Sequence, residues 1–232
     1  MNGADERGTL AGLVRERRAT VLAGVGGIAF SVLTVVAIVV SGAPGGKFET
    51  SDVTDYLAKG HRVPAIIAAY LGLLGVLGLI CLLSRLREAI GAAPDNQHAA
   101  RIFWGTGLAA AASFAVGWGV AGGQVIAHAE GGSGVVIAPA VTYLISEVGV
   151  VFIFGSGATL LGFALIALTL GSRVTLPAWL RWLTLIAGVA GIASLAFFPF
   201  IILMIWGIVI GVWLLAAGRG SDPSAMAGQP SA

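Results

Sequence analysis

The stretch RIFWGTGLAAAASFAVGWGVAGGQVIAHAEGGSGVVIAPAVTYLISEVGVVFIFGSGATLLGFALIALTLGSR, residues 101–173, decides the architecture of this chain. Between Arg101 and Arg173 there is no further Lys or Arg, and the only formal charges are Glu130 and Glu147. Two long apolar runs lie on either side of the polar turn His128-Ala-Glu-Gly-Gly-Ser-Gly134. A helix needs about 20 apolar residues to cross the hydrocarbon core of a bilayer. The stretch therefore reads as a transmembrane hairpin, with its basic ends on one side and its acidic turn on the other.

The rest of the composition agrees. The chain is 57% hydrophobic and only 10% charged, with a mean hydropathy of +0.96, whereas globular domains carry about 25% charged residues. Such a chain lacks the polar residues to cover a water-facing surface. Ala19 to Val40 and Val63 to Ser84 are further uncharged runs of spanning length. The sequence predicts an all-α, polytopic transmembrane bundle of one domain. The net charge of +2 does not point to nucleic acid, because the basic residues cluster at the ends of apolar runs, where they set topology. The single Cys81 can form neither an internal disulfide nor a zinc site by itself and reads as a small buried apolar group.

Taken in order, residues 1–18 form a basic tail in which Leu10, Leu13 and Val14 fall at helical spacing, suited to the membrane surface. The first span follows, too long for a signal core and uncleaved. The loop 42–62 contains Thr50-Ser51-Asp52, which looks like a helix start. A short amphipathic helix bearing Val53, Tyr56 and Leu57 is predicted there, ended by Gly60 and lying on the outer interface. The second span carries Gly72, Gly75 and Gly78; small residues let helix backbones approach in lipid. Asp95 is placed to cap the third span. Counting back from Arg173 puts the outer boundary of the fourth span near Val151, with Pro139 to Glu147 outside it; a division into two short spans at Gly155-Ser-Gly157 is the alternative. Trp182 to Gly218 holds two short helices turned at Pro199, one with Gly188 and Gly191, the other with Gly207 and Gly211 at GxxxG spacing. The bundle thus covers residues 19–217, and 218–232 form a disordered tail. Six spans place both termini in the cytoplasm, with ten basic residues inside against Lys47, Lys59 and Arg62 outside, the excess expected of short cytoplasmic loops.

Several stretches together resemble a known type of protein. They are Asp55-Tyr56-Leu57, Ser84-Arg-Leu-Arg87, Leu176-Pro-Ala-Trp-Leu-Arg-Trp182, Ile186-Ala-Gly-Val-Ala-Gly191 and Trp206-Gly-Ile-Val-Ile-Gly-Val-Trp213. The chain resembles, over roughly residues 15–217, a bacterial six-span integral-membrane family of the domain-of-unknown-function type, and its Gly- and Ala-rich usage is similar to that of an actinobacterial member. The resemblance implies the fold and the plasma membrane and brings no catalytic residues.

Ionisable groups converge only on the expected outer side: His61, His128, Glu130 and Glu147, with Glu49, Asp52 and Asp55 nearby and the neutral amide of Gln124 beside them. Imidazole and carboxylate are ligands for a zinc-like ion, but the spacings form no metal motif and no metal is predicted. Glu147 alone, were it inside the bilayer, would be a candidate for proton or cation transfer. No cofactor is predicted: the His residues lie at span ends, which argues against haem, and no Lys lies in a span to carry retinal. Gly24, Gly26 and Gly27 lie within a span and form no phosphate loop. Three readings follow. The leading one is a non-enzymatic bundle packing with itself, lipid or a partner subunit, including a possible homo-oligomer. The second is a small transporter or small-molecule-binding protein with Gln124, His128 and Glu147 lining an outward mouth. The third is a membrane enzyme working at the outer cluster.

Overall fold

A computed structural model describes residues 3–42, 49–57, 59–130, 138–171, 176–196 and 199–220. Every regular element among them is helical. The order is α1 (Gly3–Ser41), α2 (Thr50–Leu57), α3 (Lys59–Gly91), α4 (Gln97–Glu130), α5 (Pro139–Val150), α6 (Ala158–Gly171), α7 (Ala178–Ile192) and α8 (Phe200–Gly220). A π-helical segment, Val151–Gly157, joins α5 to α6 without a break. Five helices are long and apolar enough to cross a membrane: Val14–Ser41, Arg62–Gly91, Pro94–His128, Pro139–Leu170 and Phe200–Gly218. Helix α7 is apolar but shorter. This is the architecture of a multi-pass membrane protein.

The long helices close into a ring. Helix α3 lies between α1 and α4, α4 packs on α5 and α6, α6 on α7, α7 on α8, and α8 returns to α1. Lipid tails are as apolar as leucine, so nothing but packing and hydrogen bonding draws such helices together. The seams accordingly close at glycines. A Cβ on Gly26 would stand 2.5 Å from the Gly78 carbonyl oxygen, and one on Gly24 would stand 2.8 Å from that of Gly211. Gly27 faces Gly207, Gly117 faces Gly149, and Gly162 faces Gly188 and Gly191 in the same way. At the α3–α4 seam Gly72 receives the indole ring of Trp118, while Gly75 faces Phe30 and Thr34 at ordinary contact distance. Thus Gly72, Gly75, Gly78, Gly188, Gly191, Gly207 and Gly211 all lie at seams, and so do Gly24, Gly26, Gly27, Gly117, Gly149 and Gly162, which the spacing did not single out.

Aromatic side chains fill the axis of the ring. Phe30 and Phe114 meet edge to face at 5.6 Å, Phe114 and Phe200 at 6.4 Å, and Phe154 and Phe200 at 4.7 Å. Trp206 is fully buried and donates to the Thr184 hydroxyl at 3.0 Å, which itself donates to the Leu180 carbonyl at 2.7 Å. At one end of the ring, here the arginine end, Arg85 ties α3 to α1. It bonds Glu16 and the Thr20 hydroxyl at 3.0 Å each, and Glu88 at 3.3 Å. Arg87 lies over the Trp104 ring at 5.2 Å.

Several boundaries differ from those read in the sequence. Helix α1 runs on from Gly3, so the tail is continuous with the first span. Gly60 lies inside α3 rather than ending α2, and Asp95 sits in a 3-10 turn, Pro94–Asn96, before α4. Helix α4 carries on to Glu130, through His128 and into the polar turn. The helix through Glu147 starts at Pro139 and runs on undivided through Gly155-Ser-Gly157, in keeping with one span carrying a helical extension rather than two short spans. Glycine permits the π turn here: a Cβ on Gly157 would meet the Phe152 carbonyl oxygen at 2.8 Å. Residues 221–232 of the expected tail lie outside the described residues.

The seams make a direct prediction. Gly26→Ala or Gly162→Ala should lower stability by about 1–3 kcal/mol, as over-packing does, in thermal unfolding of the detergent-solubilised chain. Gly105→Ala, where a Cβ meets nothing within 4 Å, should leave it unchanged. Equal behaviour of the three variants would mean that the backbones do not touch at these crossings.

Candidate functional site

At the end of the ring opposite the arginines, α2 folds over the ends of its neighbours. Asp52 stands in its first turn, facing the positive end of the helix dipole, and the Val53 amide bonds the Glu49 carbonyl. The spacing of Val53 and Tyr56 puts both on one face. That face is buried against Ala65 and Ile66 of α3, Val125 of α4 and Tyr143 of α5. The amphipathic helix expected on the membrane surface is therefore docked on protein and roofs the α3–α4–α5 end.

Beneath this roof lies Gln124, 8% exposed, with neither amide oxygen nor amide nitrogen in a hydrogen bond among the described residues. The Tyr56 hydroxyl is near enough for the amide to act on it, though short of full hydrogen-bond geometry. Burial pushes the Tyr56 hydroxyl above the usual tyrosine range, and the Gln124 amide offsets part of that rise. Further out, His128 has a buried Nδ1 without a partner, and so does Arg62 at its Nε. The two lie at one level by helix register, because Gly122 packs on Ala69 one to two turns deeper. Deeper still, the Trp118 indole nitrogen and the Thr34 hydroxyl are buried and unpartnered.

This clustering contrasts with the rest of the bundle. Among the described residues seven buried side-chain polar atoms lack partners, and six of them belong to Thr34, Arg62, Trp118, Gln124 and His128. Elsewhere buried hydroxyls return to their own backbone, as Ser31 does to the Gly27 carbonyl, Thr169 to Leu165 and Ser194 to Gly191. Buried polar groups in proteins are nearly always paired with protein or ordered water. Each one left unpaired costs about 1–3 kcal/mol. They run from the level of Arg62 and His128 down to that of Gly72 and Gly75, and the buried amide of Gln124 among them is suited to water or a polar ligand.

Glu147 sits on α5, half-buried, eight residues beyond Pro139. At 1.5 Å per residue that is about 12 Å along the helix from its end. It interacts with Tyr143 one turn above, and Tyr143 borders the α2 cluster. Thr142 and Ser146, on the same helix, are buried. Glu130 is exposed at the end of α4. The backbone at His61 belongs to α3, and its side chain lies outside the described residues. Gln124 and Tyr56 are thus brought together, with His128 and Glu147 on the flanking turns, while Glu130 stands apart. Among the described residues no three of His, Cys, Asp and Glu gather closely enough to hold a metal ion.

The sequence did not point to Tyr56, Arg62, Trp118 or Thr34 as members of this site. Only the Tyr56 spacing carried a signal, and it was read as an interfacial anchor. The midpoint of the helix supplies one further polar group: Ser113 donates to the Phe152 carbonyl at 3.0 Å and stands 2.6 Å from Ser156. No family model, curated protein or solved structure matches this chain, so no residue role is carried over to the site from another protein.

The raised Tyr56 value sets a pH window. The neutral phenol contributes fully to α2 docking below about pH 10, the unfolded value of tyrosine. That contribution is lost as the pH rises through the higher folded value. In an alkaline absorbance titration, the difference between the native chain and Tyr56→Phe should show one phenol ionising later than a free tyrosine. Ionisation at the ordinary value would mean that α2 does not cover Tyr56.

Proposed function

We propose that this chain is a non-enzymatic, six-span protein of a bacterial plasma membrane, in which α2 roofs a small vestibule that binds a polar small molecule. In this reading α7 with its 3-10 extension, Ala193–Ala196, is the sixth span. The arginine end and both termini face the cytoplasm, by the ten-to-three charge asymmetry. The vestibule opens on the outer side. The observation that carries the reading is the buried Gln124 amide, whose oxygen and nitrogen form no full hydrogen bond among the described residues and have only the Tyr56 hydroxyl near them.

The ligand chemistry follows from the groups at hand. An amide, a phenol, an imidazole, a guanidinium and a carboxylate suit a compact solute with several hydrogen-bonding groups. Binding fits better than free conduction, because the glycine seams and the Phe30–Phe114–Phe200 stack leave the axis filled. A membrane enzyme would in addition need a nucleophile held against a base; the Ser113–Ser156 pair is instead tied to the Phe152 carbonyl. A second reading, self-association in the bilayer, is favoured by the outward face of α4. There Gly105, Ala109, Ala112, Gly119 and Gly123 are exposed in one stripe, of the small-residue kind that joins helices in lipid.

Native mass spectrometry of the detergent-purified chain tests both. The first reading expects a retained small molecule that is lost in Gln124→Leu and weakened in Glu147→Gln, with unfolding temperatures unchanged. A bare native chain, or retention in Gln124→Leu, overturns it. A dimer mass that reverts to monomer in Gly119→Leu supports the second. The topology is read separately, in a Cys81→Ser background: Ser51→Cys should react with an impermeant maleimide in intact cells, and Gln97→Cys should not. The reverse pattern would invert the assignment.

A further inference from the structure

The seventh unpartnered buried atom is far from the vestibule. It is Nε of Arg181, at the arginine end. Helix α7 starts at Ala178 behind Pro177, whose carbonyl accepts from the Leu180 and Arg181 amides at 3.0 and 3.1 Å. The Arg181 side chain lines a groove of about 270 Å³ between the end of α6 and the start of α7, together with Thr169, Leu170, Ala178, Trp182 and Leu185. Leu170 and Trp182 are 71% and 66% exposed. The groove therefore opens sideways from the bundle, toward the region a bilayer would occupy, and not into the ring.

Partial burial without a counter-charge distinguishes Arg181 from its neighbours at this end, since Arg15, Arg17, Arg18 and Arg101 are exposed to the surroundings. Arg85 is neutralised by Glu16 and Glu88, and Arg87 is engaged by Trp104. Arg181 has neither an acid nor a ring among the described residues. A guanidinium partly withdrawn from water with a free N–H calls for an oxyanion, which it can take in a two-pronged hydrogen bond. Walls of leucine and tryptophan exclude a purely aqueous anion as the natural occupant, and exposed Trp179 and Trp182 suit the headgroup level of a membrane.

We propose that the Arg181 groove binds the phosphate headgroup of an anionic phospholipid from the inner leaflet. The phosphodiester meets the guanidinium, and the first part of an acyl chain lies along Leu170 and Leu185. The inference rests on the membrane reading but not on the vestibule, and a lipid held there would fasten the α6–α7 hairpin where both helices end.

The test uses the full chain in mild detergent with equimolar phosphatidylglycerol and phosphatidylcholine, and native mass spectrometry counts the lipids retained. The native chain should prefer phosphatidylglycerol by about fivefold, the effect of one basic residue on an anionic lipid. Arg181→Gln should bring the ratio to parity, Arg181→Lys should retain part of it, and Arg87→Gln should leave it intact. Leu185→Trp, which keeps the charge but fills the groove, should also remove the preference, so the result does not hang on the folding of one variant. Excess inorganic phosphate should not displace the lipid; displacement would mean an anion site rather than a lipid site. An unchanged ratio in both Arg181→Gln and Leu185→Trp overturns the proposal. Failure of the chain to insert into vesicles of the same two lipids would count against the membrane reading itself.

Discussion

The contact of helix backbone with helix backbone at paired glycines is the constraint on which the rest of this fold depends. Inside a bilayer an apolar side chain gains nothing by leaving lipid for protein, so association must come from close van der Waals contact. Gly26 on Gly78, Gly24 on Gly211 and Gly162 on Gly188 bring main-chain atoms within reach of one another. Once these crossings are set, the helix axes are too near for a large residue at the seam. The bulk moves to the axis, where Phe30, Phe114, Phe154 and Phe200 meet. Small residues at the seams and large ones at the centre are two sides of one solution.

The same constraint decides where polar groups can go. A seam closed on glycine has no space for a long side chain, but a hydroxyl fits if it turns back to its own helix. Ser31, Thr184 and Ser194 do so. An amide as long as that of Gln124 fits only beyond the last tight crossing, where Gly122 meets Ala69 and the helices part under α2. The long groups of the proposed site, Gln124, His128 and Arg62, lie beyond these crossings, whereas Trp118 and Thr34 stand at the seams themselves, against Gly72 and Gly75.

Much of the fold was legible in the sequence, because hydrophobic length and charge placement act locally. The five long apolar helices and the turn at Pro199 follow from run length and Pro/Gly chemistry alone. Gly72, Gly75, Gly78 and the Gly207/Gly211 pair stood out by spacing. Gly24, Gly26 and Gly27 did not, since three glycines within a few residues fit no simple repeat; their partners Gly78, Gly207 and Gly211 lie far away in the chain. The site was legible only in part. Gln124, His128 and Glu147 were visible as polar residues in apolar surroundings. Tyr56 and Arg62 were not, because their roles arise from α2 folding back onto α4, a tertiary event with no local sign. The burial of Gln124 had no local sign either, because it depends on α4 running on into contact with α2.

The π segment shows how the fourth span stays undivided through Gly155-Ser-Gly157. On α5 the buried positions are Thr142, Ser146, Gly149 and then Ile153, a regular alternation of four and three. Beyond Ile153 the buried positions are Gly155, Gly157, Ala158 and Leu161, which do not continue that rhythm. A π turn, with one extra residue, changes the face the helix buries. It lets α5 face α4 and α2 at one end while α6 faces α4 and α7 at the other. The cost is a loosened Phe152 carbonyl, and Ser113 and Ser156 both donate to it. Gly155-Ser-Gly157 offered the alternative of a break, because glycine and serine end helices in water. In this helix they widen one turn, the glycine making room for the displaced carbonyl and the serine satisfying it.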